Sequence, residues 1–268
     1  MAASTATSTA ASRAATTPVS RVLALGRAEL TLLGRSKTAL YMGLLMPAVM
    51  VYAMHNAIAG VDLGKTGMSV AAVSVTGGFG FVLIFAVYQN LVTAYVSRRE
   101  ELVLKRLRTG EASDMEILTG TAIPAVVIAL AQCVLLVVAG VAWLKLGAVA
   151  RPELLLAGLV SGIALCITLA AATAAWAKSV EGAQFVTTPM FLISMAGSGL
   201  VFPLETMPDA MAQVCRLLPL TPAMELIRGG WLGGLDAGGV LRALVTALVW
   251  IALAVFAVRR WFRWEPRR

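Results

Sequence analysis

The chain has 268 residues, of which 59% are hydrophobic and 13% are charged. Soluble globular domains usually carry about 25% charged residues, so this composition argues against a soluble protein. The apolar residues fall in runs of roughly 20, the length of a helix that crosses a bilayer. The runs are rich in Gly, Ala and Leu and do not alternate strictly with polar residues. We therefore predict an all-α, polytopic membrane protein rather than a β-barrel.

The formal net charge is +8, and the basic residues flank the apolar runs. Membrane orientation explains that pattern better than nucleic-acid binding does, so we expect no nucleic-acid partner. The three cysteines form no CxxC pair and no His/Cys cluster, which predicts neither a metal site nor a disulfide framework. Residues 60–66 resemble a phosphate-binding loop but are one residue short of its spacing. We expect no catalytic residue and no bound cofactor in this chain.

The N-terminal region divides into two segments. Residues 1–20 are almost all Ala, Ser and Thr, which predicts a disordered tail, with an organellar transit peptide as the alternative. Residues 21–36 are predicted to form an amphipathic helix in the headgroup plane, with a plain lead-in to the first span as the alternative. The charged side chains of this interfacial helix are Arg21, Arg27, Glu29 and Arg35.

Six membrane-spanning helices are predicted, near residues 39–58, 68–95, 117–145, 154–177, 184–202 and 240–258. If the N-terminus lies inside, sixteen of the 22 Lys and Arg residues lie on the inner side. That bias predicts that both termini are cytoplasmic and that residues 261–268 form a basic cytoplasmic tail. No Asp or Glu falls within a span, which argues against an ion-coupled carrier.

Neutral polar residues and an unusual outer segment supply further candidates. Gln89, Asn90 and Gln132 lie within long apolar runs, where they either pack helices together or line a transport path. Residues 203–239 contain four prolines and many glycines, yet remain apolar. Short helices that dip into the outer face of the membrane fit that composition better than a solvated loop does.

The most charged inner segment, residues 98–108, connects the second and third predicted spans. Glu100, Leu104 and Leu107 recur at helical spacing, and Gly110 can end such a helix. Residues 113–116 then form the pattern of a capping box that opens the third span. A helix, a break and a capped helix would suit a lever that transmits force from a docked cytoplasmic protein. The alternative is a basic loop without a partner.

Two stretches of the chain resemble the membrane subunits of type-2 ABC exporters, the group that includes daunorubicin-resistance-type permeases. The first stretch contains Arg99-Glu100, residues 104–110 and residues 116–120. The second contains residues 199–208 and 218–222. The resemblance covers about residues 20–260 and implies a type-2 ABC transmembrane domain over residues 21–260. One departure is Glu101-Leu102, where family members often have Gly-Thr.

The resemblance implies a permease subunit in a bacterial plasma membrane, without an ATPase site of its own. Two copies would pair with two cytoplasmic ATP-binding subunits that hold ATP and magnesium, and membrane lipids would surround them. The cargo would be a drug or natural product, as in multidrug efflux and antibiotic resistance, or a lipid or glycan. The alternative is a stand-alone channel or secondary carrier.

The resemblance also assigns two sets of site residues. ATPase coupling is expected at Arg99, Glu100, Leu104, Arg106, Leu107, Arg108 and Gly110. The outer re-entrant helices between spans five and six are expected around Phe202, Pro203, Met207, Pro208, Pro219 and Pro222.

Overall fold

A computed structural model describes residues 18–35, 37–58, 60, 67–103 and 113–262. Helices make up the secondary structure of these residues, and no strand occurs among them, which confirms the all-α prediction. The helices are α1 (Pro18–Arg35), α2 (Lys37–Ile58), α3 (Val70–Glu100), α4 (Asp114–Ala142), α5 (Pro152–Ala174), α6 (Val180–Gly197), α7 (Asp209–Arg216), α8 (Thr221–Leu232) and α9 (Ala237–Trp261).

Four helices in the described part of the chain are long and apolar enough to cross a membrane: α3, α4, α5 and α9. They confirm a polytopic membrane protein. Helices α2 and α6 occupy the positions of the first and fifth predicted spans. Within α2, the stretch Ala48–Ile58 is apolar but shorter than the four helices that are long enough to cross a membrane. The count of six spans therefore stays a prediction.

Helix α3 forms the centre of the fold. Ser69 caps its start, because the Ser69 hydroxyl accepts a hydrogen bond from the Ala72 amide at 3.1 Å. Its segment Val82–Gln89 is π-helical, and the whole helix runs for 31 residues from Val70 to Glu100. In the most apolar 18-residue stretch of α3, 78% of the residues are buried, whereas 17% are buried in the corresponding stretch of α9. Helix α3 therefore supplies the core, and α9 supplies a peripheral surface.

Helix α5 packs against α3, α8 and α9, and its small residues allow the close approach. A Cβ atom added at Gly158 would lie 2.9 Å from the carbonyl oxygen of Ala223 on α8. One added at Gly162 would lie 2.7 Å from the Leu83 side chain on α3. The small residues four apart on α5 therefore serve packing within one chain.

Helix α1 lies along α4 and is longer than the sequence predicts. The helix begins at Pro18, so residues 18–20 are helical, contrary to the prediction that the tail extends to residue 20. Proline suits the first turn of a helix because its φ angle is already helical and its missing N–H needs no partner. Gly26 on α1 faces Ile123 on α4, and Gly120 on α4 faces Leu25 on α1. The remainder of the predicted tail, residues 1–17, lies outside the described residues.

The outer segment forms short helices, as predicted. A 3₁₀ turn at Leu204–Thr206 precedes α7 and α8. Most residues of α8 are buried, because this helix packs on α5 and α3. How deeply these helices enter the membrane stays a prediction.

Candidate coupling site

The Arg99 end of the bundle brings together the end of α3, the start of α4 and the joint between α5 and α6. Arg99 is 1% exposed. Its guanidinium donates hydrogen bonds to the carbonyl oxygens of Ala174 at 2.9 Å and Ala177 at 2.5 Å. The last carbonyls of a helix lack partners within it and carry partial negative charge. The buried Arg99 guanidinium at the end of α5 therefore gives these carbonyl oxygens hydrogen-bond donors and offsets their partial negative charge.

Two further side chains tie α3 to α4. The Tyr95 hydroxyl donates to the Leu118 carbonyl oxygen at 3.0 Å, and Arg98 donates to the Thr121 hydroxyl at 3.1 Å. Together with Arg99, they fix the last two turns of α3 to two neighbouring helices. A displacement of this helix end must therefore move α4 and α5, or break buried hydrogen bonds.

The start of α4 is the predicted capping box. The Ser113 amide donates to the Glu116 carboxylate at 2.8 Å, and the Glu116 amide donates to the Ser113 hydroxyl at 3.4 Å. Both halves of the motif are formed, so α4 begins where the sequence predicts.

The segment after α3 turns sharply. Leu102 has a φ of 60°, in the left-handed region that favours glycine. Its amide donates to the Arg99 carbonyl oxygen at 3.1 Å, in the manner of a helix C-terminal cap. This turn coincides with the Glu101-Leu102 departure from the family pattern. The chain thus makes a glycine-type turn with leucine.

The predicted coupling residues divide into two groups. Arg99 and Glu100 are described: the first points into the bundle and the second is exposed. The remainder lie outside the described residues, namely Leu104, Arg106, Leu107, Arg108 and Gly110. Their contact with an ATP-binding subunit stays a prediction.

The predicted interfacial helix corresponds to α1. Arg27 is exposed, and its carbonyl oxygen accepts a hydrogen bond from the Thr31 hydroxyl at 2.8 Å. The side chains of Arg21, Glu29 and Arg35 lie outside the described part of the structure. Because α1 packs on the first third of α4, it lies beside the helix that the capping box opens.

The neutral polar residues occupy three different environments. Gln132 is buried within α4, Gln89 is half-buried and Asn90 is exposed. Sequence reasoning missed Gln184 and Thr188, which are exposed on α6. A helical wheel of residues 180–197 would have shown these polar positions among Phe, Leu and Ile.

A second polar cluster lies at the opposite end of α6, which we call the Arg228 end. Arg228 is 7% exposed and donates a hydrogen bond to the Gly199 carbonyl oxygen at 2.5 Å. Its guanidinium lies 3.9 Å from the Glu205 carboxylate. Burial lowers the pKa of Arg228, and the carboxylates of Glu205 and Glu225 oppose that shift.

Near Arg228, two partly exposed arginines, Arg216 and Arg242, share the carboxylate of Glu225. The Glu225 carboxylate lies 3.5 Å from Arg216 and 3.3 Å from Arg242. Sequence reasoning missed Arg228, although an arginine three residues after Glu225 in the largely apolar stretch 220–232 was a usable signal. Of the predicted outer residues, Pro203, Pro219 and Pro222 are buried, Met207 is half-buried, and Phe202 and Pro208 are exposed.

The family model of the ABC-2 type transporter matches residues 20–232. The chain belongs to the ABC-2 type transporter family. It is thus the permease of an ABC-type transporter, a class that normally works with an ATP-binding subunit. The match spans α1, the Arg99 end and the Arg228 end. No curated protein sequence matches this chain.

Proposed function

We propose that this ABC-2 permease exports a hydrophobic or amphiphilic compound across a bacterial plasma membrane. ATP and magnesium bind to a separate cytoplasmic subunit, and two permease copies pair with two such subunits. A drug or natural product is the proposed cargo, as in multidrug efflux, with a lipid or glycan as the other cargo class. Both termini lie in the cytoplasm in this proposal.

The observation that carries the proposal is the exposure of polar side chains midway along apolar helices. Asn90 lies ten residues before the end of α3, about 15 Å along the helix axis. Thr188 lies eight residues into α6, about 12 Å from its start at the same end of the bundle. Hydrocarbon disfavours an exposed amide such as that of Asn90. The Thr188 hydroxyl donates to the Gln184 carbonyl oxygen at 2.8 Å, and Thr188 is exposed. Polar groups exposed at this depth suit a transport path better than a lipid contact.

Helix α6 also offers a surface for a second copy. Phe185, Leu192 and Ile193 are exposed on it, beside the polar positions Gln184 and Thr188. Apolar and polar side chains mixed on one helix suit an amphiphilic cargo, because such a compound presents both kinds of surface. We therefore place the transport path between two copies, along α3 and α6.

The Arg99 end is the proposed docking region of the ATP-binding subunit. Basic residues concentrate in the segment that follows α3, and the buried hydrogen bonds of Arg99 and Tyr95 anchor that segment to the bundle. Helix α1 would brace the same subunit from the other side, because it packs on α4.

The test is ATP-dependent transport of a fluorescent amphiphile, Hoechst 33342, by the complex in liposomes. We expect Asn90→Leu and Thr188→Val to lower transport at least several-fold. Thr119→Val is the matched control, since Thr119 is also exposed and also donates to its own helix backbone, at 2.6 Å to the Met115 carbonyl oxygen. Its transport should stay at the wild-type level.

Two results would contradict the proposal. Transport that proceeds without ATP, from a chain that co-purifies with no ATP-binding subunit, would favour a stand-alone channel or carrier. Equal transport by the Asn90, Thr188 and Thr119 variants would remove the proposed path, even if ATP dependence holds.

A further inference from the structure

Few side chains of α6 are fully buried, although Val186, Met190 and Phe191 pack against the core. Among its 18 residues, four are buried: Ala183, Thr187, Ser194 and Gly197. Phe185 is 80% exposed. Pro189 lies inside the helix and leaves one backbone carbonyl without its usual donor. The position of α6 therefore also depends on what fixes its ends.

The first end of α6 is fixed by a side chain from α3. Arg99 donates to Ala174, the last residue of α5, and to Ala177, in the turn that follows. Two residues later Ser179 caps α6, its hydroxyl accepting a hydrogen bond from the Gly182 amide at 3.1 Å. Ala177 is buried as well. One guanidinium thus spans the joint from which α6 begins.

We propose that Arg99 is a positioning residue that transmits movement of the segment after α3 to α6. The inference rests on the proposed function, which supplies the movement: an ATP-binding subunit that pulls on the segment after Glu100. Arg99 lies one residue before that segment, at the end of α3. One of its carbonyl partners belongs to the last residue of α5, and the other lies in the turn that leads to α6.

The chemistry of the contact makes it a connection that transmits force. A buried guanidinium pulled away from these two carbonyl oxygens would lose two charge-assisted hydrogen bonds in a low-dielectric setting, which is unfavourable. The planar fork of arginine reaches two carbonyls at once, whereas a lysine ammonium is a point charge. Displacing the end of α3 should therefore carry the α5–α6 joint with it.

The experiment compares the distance between α6 and α5 with and without nucleotide. Spin labels at Glu181→Cys on α6 and Val160→Cys on α5 report that distance by pulsed EPR in the nanodisc-embedded complex with its ATP-binding subunit. Both sites are exposed, whereas Cys133, Cys166 and Cys215 are buried. We expect ATP with vanadate to shift the wild-type distance. Arg99→Gln should lose most of that shift while ATP hydrolysis continues.

Two variants separate positioning from mere stabilisation. Arg98→Gln removes the same charge from the neighbouring residue, which bonds to Thr121 instead, and should keep the shift. Arg99→Lys retains one charged donor and should show an intermediate shift, and it replaces Arg99→Gln if that variant does not fold. Hydrogen exchange over residues 177–187 should rise about tenfold in Arg99→Gln, since a hydrogen bond to a charged group contributes about 1.5 kcal/mol or more.

Each outcome decides the matter. A full shift in Arg99→Gln, or in Arg99→Lys where only that variant folds, overturns the inference and leaves the proposed function intact. An equal loss in Arg98→Gln also overturns it, because charge rather than position would then explain the effect. No shift in the wild-type complex would sink both the proposed function and the inference.

Discussion

Arg228 on α8 donates a hydrogen bond to the carbonyl oxygen of Gly199, two residues beyond the end of α6. Gly199 has a φ of 73°, and a Cβ atom there would lie 3.2 Å from the Arg228 guanidinium. The close contact thus depends on glycine. Because Arg99 holds the other end, α6 lies between two buried arginines that belong to different helices.

Replacing Arg228 with glutamine should destabilise the chain. The variant loses a charge-assisted hydrogen bond to a buried carbonyl oxygen, and such bonds contribute about 1.5–3 kcal/mol. Thermal unfolding in detergent should therefore occur at a clearly lower temperature. Arg242→Gln is the control, since Arg242 is an exposed partner of Glu225, and exposed ion pairs contribute about 0–1 kcal/mol. Equal losses in the two variants would contradict the assignment of Arg228 as the buried tie.

Replacing Leu102 with glycine should stabilise the turn after α3. Leu102 adopts a left-handed conformation, which costs a residue with a Cβ atom about 1 kcal/mol relative to glycine. We expect a small rise in the temperature of thermal unfolding. Leu102→Ala keeps the Cβ atom and the strain while removing most of the side chain, so it should bring no such rise. If alanine stabilises as much as glycine, loss of the exposed leucine explains the effect instead.

The crossing of α1 and α4 predicts a position-specific effect of glycine replacement. Gly26→Leu would place a side chain where Ile123 already lies, and overpacking of this kind costs about 1–3 kcal/mol. Hydrogen exchange over residues 18–35 should accelerate because α1 separates from α4. Gly34→Leu on the same helix is the control, since a Cβ atom added there would meet none of the described residues within 4 Å. Faster exchange in both variants would mean that helix propensity, not packing, limits α1.

Local patterns of the sequence predicted the local structure well. The Ser113 capping box spans four residues, and the short helices after Pro203 follow from prolines set among apolar residues. In each case the partners lie within a few positions along the chain. Such features can be read without knowledge of the tertiary fold.

The two buried arginines could not be placed in this way. The acceptors of Arg99 are 75 and 78 residues further along the chain, and the acceptor of Arg228 lies 29 residues before it. The second span was also predicted to end at residue 95, because charged residues follow. Helix α3 runs on to Glu100, and the point where the span ends within it stays a prediction. Arg99 donates to carbonyl oxygens at the end of α5 and in the turn after it. Only the tertiary fold reveals such partners.

Replacing Gly158 with alanine should separate α5 from α8. A Cβ atom there would lie 2.8 Å from the Ile227 backbone nitrogen and 2.9 Å from the Ala223 carbonyl oxygen, so backbone rather than a flexible side chain must move. We expect a loss of about 1–3 kcal/mol, measured by thermal unfolding in detergent. Gly147→Ala is the control, because a Cβ atom at Gly147 has open space for 4 Å within the described part of the chain.

The same replacement should also weaken the tie between Arg228 and Gly199. Ile227 is the neighbour of Arg228 on α8, so a displaced α8 carries the guanidinium away from its acceptor. The double variant Gly158→Ala with Arg228→Gln should therefore lose less stability than the sum of the two single losses, as expected of residues that share one contact. Strict additivity would show instead that the α5–α8 crossing and the hold on α6 are energetically independent.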